Sequence, residues 1–294
     1  MRTEKEMYDL IISIAQSDER IRAVYLNGSR TNPNVPKDIF QDYDVVYVVT
    51  ETKPFIVDKD WINRFGEILF MQFPDEHPGY PSDKDNFYGW LMQFTDGNRI
   101  DLHVESIDHA WANILNDSLC KVLLDKDNCL PDIPESSDKN YWVSKPSEAQ
   151  FVCTCTEFWW CLNNVAKGLW REEIPYVQDM INYVVRKQLE KMLSWKVGII
   201  TDYSVSVGKS AKYMYKWLSD QEWKTYLQTY CGADINDIWQ SVDEMCSLFK
   251  ETAIQVAEAL QCTFNDKEAE NCIKFLNAVK NLPKDAEEIN KYNG

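Results

Sequence analysis

Asp42-Tyr43-Asp44 runs straight into Val45-Val46-Tyr47-Val48-Val49, and this junction of two carboxylates with an unbroken apolar run limits what the chain can fold into. A run without polar alternation reads as a strand buried on both faces of a sheet. Side chains at i and i+2 of a strand share a face, so Asp42 and Asp44 present their carboxylates together at the edge of that sheet. Upstream, Ile21-Arg22-Ala23-Val24-Tyr25-Leu26 reads as a second strand leading to Gly28-Ser29. The pieces fall in the order strand, turn, loop, strand.

Paired carboxylates at a strand edge suit Mg²⁺, which prefers oxygen ligands and is bound through one or two carboxylates plus substrate phosphates. Two such ions can clamp the attacking and leaving oxygens of an in-line displacement. Gly28 lets the backbone approach phosphate oxygens with no Cβ in the way. The Ser29 hydroxyl and nearby backbone N–H groups can donate to those oxygens. Asp-x-Asp and Gly-Ser are each ordinary in an acidic chain; together, in this order, they point to nucleotidyl transfer from a metal-bound nucleoside triphosphate.

Charge narrows the partner. With 47 Asp and Glu against 31 Lys and Arg, the chain carries −16, which opposes gripping a polyanion because nucleic-acid affinity comes largely from neutralising phosphates. No nucleic-acid partner is expected. A field of this sign favours a small polycation. The chain shows no apolar run of about 18 residues, and Met1-Arg2-Thr3-Glu4-Lys5-Glu6 has no apolar signal core, so a cytoplasmic protein without a membrane partner is expected. Nine cysteines, with no Cys-x-x-Cys pair or zinc-like Cys/His set, read as reduced thiols.

Along the chain, Thr3-x-x-Glu6 is a capping box before Met7, Leu10, Ile11 and Ile14 and predicts a helix over 4–17. Residues 60–66 read as a short helix ended by Gly66, and 68–73 as a strand. Asp96-Gly97-Asn98 sits between two strand patterns, 88–94 and 99–104, as a hairpin turn. The second of these strands alternates Ile100, Leu102 and Val104 against Asp101, His103 and Glu105. Asp101 is therefore a third carboxylate, able to complete a metal site or take a proton from an acceptor hydroxyl, whereas a solvated face is expected for His103 and Glu105. A helix with Ser106 as cap is predicted over 106–116, and a strand over 121–124. The segment 125–146, with Pro131, Pro134 and Pro146, has the composition of an exposed linker. Helical spacing then dominates: a helix from Ser147, a second over 175–195, and further segments over 211–230, 234–260 and 268–281, together a helical bundle. The fold class expected is α+β, with a catalytic domain over 1–135 and a helical domain over 136–294.

The motifs resemble the aminoglycoside 6-adenylyltransferase family, the streptomycin-modifying branch of the polymerase-β-like nucleotidyltransferase fold. The resemblance covers nearly the whole chain. It rests on Gly28-Ser29-Arg30, Gln41-Asp42-Tyr43-Asp44 and Arg99-Ile100-Asp101-Leu102, which many nucleotidyltransferases share. More specific are Glu157-Phe158-Trp159-Trp160, Val165-Ala166-Lys167-Gly168-Leu169-Trp170-Arg171, Met192-Leu193-Ser194-Trp195, Ser206-Val207-Gly208-Lys209-Ser210-Ala211-Lys212-Tyr213 and Glu251-Thr252-Ala253. It implies a mixed-sheet nucleotidyltransferase domain that transfers AMP from ATP to the 6-hydroxyl of the streptidine ring and releases pyrophosphate. Asp42, Asp44 and Asp101 would bind Mg²⁺, two ions in all, with Asp101 as candidate general base and Glu105 as runner-up. Gly28, Ser29 and Arg30 would meet the triphosphate. A monomer or weak dimer is expected.

In the helical part, Lys167, Lys209 and Lys212 are candidates for triphosphate contact. Gly208-Lys209-Ser210 is not a P-loop, because Tyr203 stands where that motif needs glycine. Streptomycin carries two guanidinium groups, which pair with carboxylates, so Glu157, Glu172 and Asp179 are candidates for drug binding. Trp159, with Trp160 and Trp170, is a candidate wall, although an aromatic stripe on a helix also suits a core. Another acceptor, such as a lincosamide or a protein hydroxyl, stays open, as does a non-catalytic binding protein of the same fold.

Overall fold

The computed structural model describes residues 1–289. The chain divides into two compact units, Met1–Asn140 and Tyr141–Gly294.

The first unit opens with α1 (Glu4–Ser17). The Thr3 hydroxyl accepts from the Glu6 N–H while the Glu6 carboxylate accepts from the Thr3 N–H, satisfying donors that a helix start otherwise leaves open. Then come β1 (Ile21–Asn27), β2 (Tyr43–Val49), the short α2 (Lys53–Val57), β3 (Ile68–Gln72), β4 (Phe87–Phe94), β5 (Arg99–Ser106), α3 (Ile107–Asn113) and β6 (Cys120–Asp125). The sheet order is β3-β4-β5-β2-β1-β6. β2 and β5 run parallel, and the other neighbours are antiparallel.

β2 lies inside the sheet because its side chains need cover on both faces. Val45, Tyr47 and Val49 pack with Met7 and Ile11 of α1, while Val46 and Val48 pack with Ala110 of α3 and with Ile114 just beyond it. Each fully buried aliphatic side chain of this kind contributes about 1.5–3 kcal/mol. The Tyr47 hydroxyl donates to the Ile11 carbonyl at 2.8 Å, which ties α1 to its face of the sheet. The helix predicted over 60–66 is a 3-10 turn, Trp61–Phe65, closed by Gly66 at φ 132°. Residues 126–140 belong with the first unit: the Asp125 carboxylate accepts from the N–H groups of Cys129 and Leu130 at 3.0 and 3.1 Å, and Leu130 is buried.

The second unit is helical. α4 (Glu148–Trp170) starts on a second reciprocal cap, Ser147 with Gln150. The long helix predicted over 175–195 runs from Ile174 to Ile200 as α5 (Ile174–Asp179), a π turn over Met180–Val185, and α6 (Arg186–Ile200). Just past the π turn, Arg186 is buried. Its guanidinium donates to the Thr229 hydroxyl and carbonyl and lies 3.7 Å from the Tyr230 ring centroid. A single helix was predicted over 211–230, and the structure differs. Gly208, Ser210 and Ala211 take positive φ, so the chain passes through two 3-10 segments before the Ser219–Glu222 cap starts α7 (Asp220–Gln228). α8 (Ile235–Leu260) and α9 (Asp266–Lys280) follow. Phe158 of α4 and Phe249 of α8 stack at 3.7 Å in the core. No described helix is long and apolar enough to cross a membrane.

Candidate active site

The parallel β2–β5 register sets Asp44 directly beside Asp101, and Asp42 immediately precedes β2. One oxygen of each of the three carboxylates lies within 4.8 Å of the others. Strand pairing therefore assembles from two sequence-distant segments what the i, i+2 spacing promised for one. The cluster sits on the face shared by Tyr25, Val46 and Val48.

The Gly28 turn closes on the same point. Gly28 has φ 73°, and a Cβ there would lie 2.1 Å from Asp44 Oδ2, so any side chain at this position is strained by backbone angle and displaces the Asp44 carboxylate. Crowding shapes the electrostatics as well. Burial first, then the charges of Asp42 and Asp101, push the Asp44 carboxyl up to about 7, with Arg99 and Arg30 pulling it the other way. A site that holds three carboxylates this close, one of them reluctant to ionise, is suited to a divalent cation.

Arg30 is committed elsewhere than its motif suggested. Its Nε donates to the Asp42 carbonyl at 2.9 Å and its Nη2 to the Gln41 carbonyl at 2.7 Å. The guanidinium also lies 3.5 Å from the Tyr43 ring centroid and 3.3 Å from Glu4. It braces the loop that delivers Asp42. Ser29 stands in the 3-10 turn Gly28–Thr31, beside the cluster's glycine.

Glu105, expected on a solvated strand face, is 3% exposed and holds the Tyr25 hydroxyl and His109 Nδ1. It lies four residues along β5 from Asp101, roughly 13 Å at strand rise. It is therefore not available as the base for this cluster. The alternation in the sequence was real, but α3 covers that face. Arg99 is a participant that the sequence reading left without a role. It donates to both Asp101 oxygens at 2.7 and 2.6 Å and its Nε is 3.9 Å from Asp42. The Arg99-x-Asp101 spacing on one strand face was the signal for it.

The helical candidates are scattered over their own unit. Glu157, Trp160 and Lys167 lie on the exposed stripe of α4, with Trp160 67% exposed. Trp159 is 2% exposed and packs edge-on against Phe158 and Phe249 in the core, and it also lies, with Trp160, against a groove of about 550 Å³. Helical phase explains this, since Phe151, Phe158, Leu162 and Val165 bury the same side. The Trp170 indole N–H donates to the Leu282 carbonyl. Lys167 borders a small groove of about 300 Å³ lined also by Arg171, Glu287 and Glu288, so its neighbours here carry both signs of charge. Glu172, at positive φ just after α4, pairs with Lys284 at 2.7 Å. Asp179 is exposed where α5 meets the π turn. Lys209 and Lys212 are exposed on a loop in which Ser210 and Ala211 both hold positive φ, an arrangement that costs of order 1–3 kcal/mol per residue and clusters at functional sites.

Comparison with known proteins adds a second line of support. A family model described as streptomycin adenylyltransferase matches residues 1–279. An aminoglycoside 6-adenylyltransferase of Bacillus subtilis (strain 168) is 38% identical over 90% of this chain and 94% of its own length. One of Campylobacter jejuni is 38% identical over 87% and 89%. A crystal structure of an aminoglycoside 6-adenyltransferase from Bacillus subtilis covers 96% of this chain and 100% of its own at 33% identity, with a TM-score of 0.47. With the match running through both units and across the Gly28 turn and all three carboxylates, the chain belongs to the streptomycin adenylyltransferase family.

Proposed function

We propose that the protein transfers AMP from ATP to the 6-hydroxyl of the streptidine ring of streptomycin, releasing pyrophosphate and inactivating the drug. Family membership makes it a nucleotidyltransferase that adenylylates an aminoglycoside. The observation that supports metal-dependent nucleotidyl transfer is the meeting of Asp42, Asp44 and Asp101 within 4.8 Å at the start of β2 and β5, against a turn where a Cβ would strike Asp44.

Asp42, Asp44 and Asp101 would hold two Mg²⁺ ions. When bound, Mg²⁺ neutralises charge on the α-phosphate and on the departing pyrophosphate. The rest is the work of the chain. Gly28 and Ser29 offer backbone and hydroxyl donors to triphosphate oxygens, and Arg30 keeps Asp42 in place through the carbonyls of residues 41 and 42. The acceptor oxygen attacks the α-phosphorus in line; the bond from that phosphorus to the bridging oxygen breaks, and the hydroxyl proton passes to Asp101. Lys209 and Lys212 extend cationic side chains that suit phosphate, while Glu157 and Asp179, both exposed, suit the guanidinium groups of the drug. Net charge of −16 favours such a cationic acceptor.

The test is product mass. Incubation with ATP, Mg²⁺ and a panel of streptomycin, kanamycin, spectinomycin and lincomycin should give an AMP adduct on streptomycin, lost in EDTA and located on the 6-hydroxyl by NMR. An adduct on another acceptor alone would overturn the streptomycin assignment.

A further inference from the structure

Among the described residues, Arg99 is ion-paired with the carboxylate cluster. It stands two residues before Asp101 on β5, so the two side chains share a face. Its fork takes both Asp101 oxygens, at 2.7 and 2.6 Å, and reaches to 3.9 Å from Asp42. The Arg99 side chain is 46% exposed against 13% for Asp101, which leaves the guanidinium room to move on the solvent side of a more buried partner.

Two physical consequences follow. A divalent cation that uses Asp101 competes with a fork already engaging both oxygens, and it repels the guanidinium charge beside it. A displaced guanidinium on a long flexible stem stays at the same rim, where its planar fork matches phosphate oxygens as well as it matches a carboxylate. We propose that Arg99 is a swinging counter-cation. It neutralises Asp101 and Asp42 when the site holds no metal, and passes its fork to the triphosphate when metal and nucleotide load. This rests on the carboxylate cluster being the metal site, as proposed above.

The test separates charge from fork using Arg99→Gln and Arg99→Lys, with hydrogen exchange across β5 as the check that both fold. Mn²⁺ is titrated without nucleotide and followed by the EPR signal of the free ion. α,β-Methylene-ATP with Mg²⁺ is then titrated by calorimetry. Arg99→Gln should bind Mn²⁺ about tenfold more tightly, having lost a competing charge, and the nucleotide analogue about tenfold more weakly, having lost charge-assisted bonds to phosphate. Arg99→Lys keeps the charge without the fork, so its Mn²⁺ affinity should stay near wild type while analogue binding falls between the two. Weaker Mn²⁺ binding by Arg99→Gln would mean that Arg99 merely orients Asp101, and unchanged analogue affinity would remove the transfer to phosphate; either overturns the proposal. Wild-type protein that takes up no Mn²⁺, with or without the analogue, would instead bring down the metal site itself and this role with it.

Discussion

Asp44→Asn should make the metal-free protein more stable at pH 8 while destroying its activity. The Asp44 carboxyl sits at about 7 instead of 3.8 because it is buried beside Asp42 and Asp101. A rise of about three units corresponds to about 4 kcal/mol at 1.36 kcal/mol per unit, a ceiling that side-chain relaxation lowers. The sign is fixed by proton counting. Between pH 4 and 7 the native state keeps a proton that the unfolded state has released, so stability falls as pH rises through that window and stays reduced above it. Asn carries no such proton and should not show the fall. The assay is hydrogen exchange in EDTA, read by mass spectrometry on β2 and β5 peptides at pH 5, 6, 7 and 8. Comparing variant with wild type at each pH cancels the intrinsic pH dependence of exchange. The expected result is an advantage of the variant that grows steadily from pH 5 to pH 7 and reaches at most about 4 kcal/mol at pH 8. Mg²⁺ should restore protection to wild type and do little for the variant. Parallel pH profiles for the two proteins would refute the crowded-carboxylate reasoning.

Other expectations follow from the same geometry. Below pH 7, apparent Mg²⁺ affinity should weaken by up to about tenfold per pH unit as Asp44 takes its proton, which calorimetry at pH 6 and 7.5 would detect. Gly28→Ala places a Cβ 2.1 Å from Asp44 Oδ2 at positive φ; turnover should fall by orders of magnitude with circular dichroism unchanged. Arg30→Ala removes the brace on residues 41 and 42 and should cost about 2 kcal/mol, and Arg30→Lys should not rescue it because the stacked, forked contact is lost. Trp159→Ala should destabilise the helical unit by about 3–5 kcal/mol, whereas Trp160→Ala, at a 67% exposed position, should leave its melting nearly unchanged.

Local signals in the sequence were reliable where local physics decides the outcome. The Thr3–Glu6 cap places α1 at Glu4–Ser17, and the Val45–Val49 run becomes a strand covered on both faces. The turn at Asp96-Gly97-Asn98 joins β4 to β5. What local pattern could not supply was tertiary cover. Glu105 and His103 alternate as a solvated face would, yet Glu105 is buried against His109 of α3 and His103 is half-buried under the Phe87 ring. Residues 211–219 carry helical spacing, but positive φ at Ser210 and Ala211 breaks the helix before a new cap restarts it. For the candidate site, the i, i+2 rule paired Asp42 with Asp44, whereas the place of Asp101 depends on the parallel β2–β5 register, which spans more than fifty residues of chain. Arg30 and Glu172 show the opposite hazard. Their charges looked available from the sequence, and the fold has already assigned them partners.

The most direct measurement is anomalous scattering from crystals grown with Mn²⁺ and α,β-methylene-ATP. Mn²⁺ peaks should lie within ligand distance of Asp42, Asp44 and Asp101, with triphosphate oxygens beside Gly28 and Ser29. Nucleotide and metal bound away from these carboxylates, or bound with all three left untouched, would contradict this assignment.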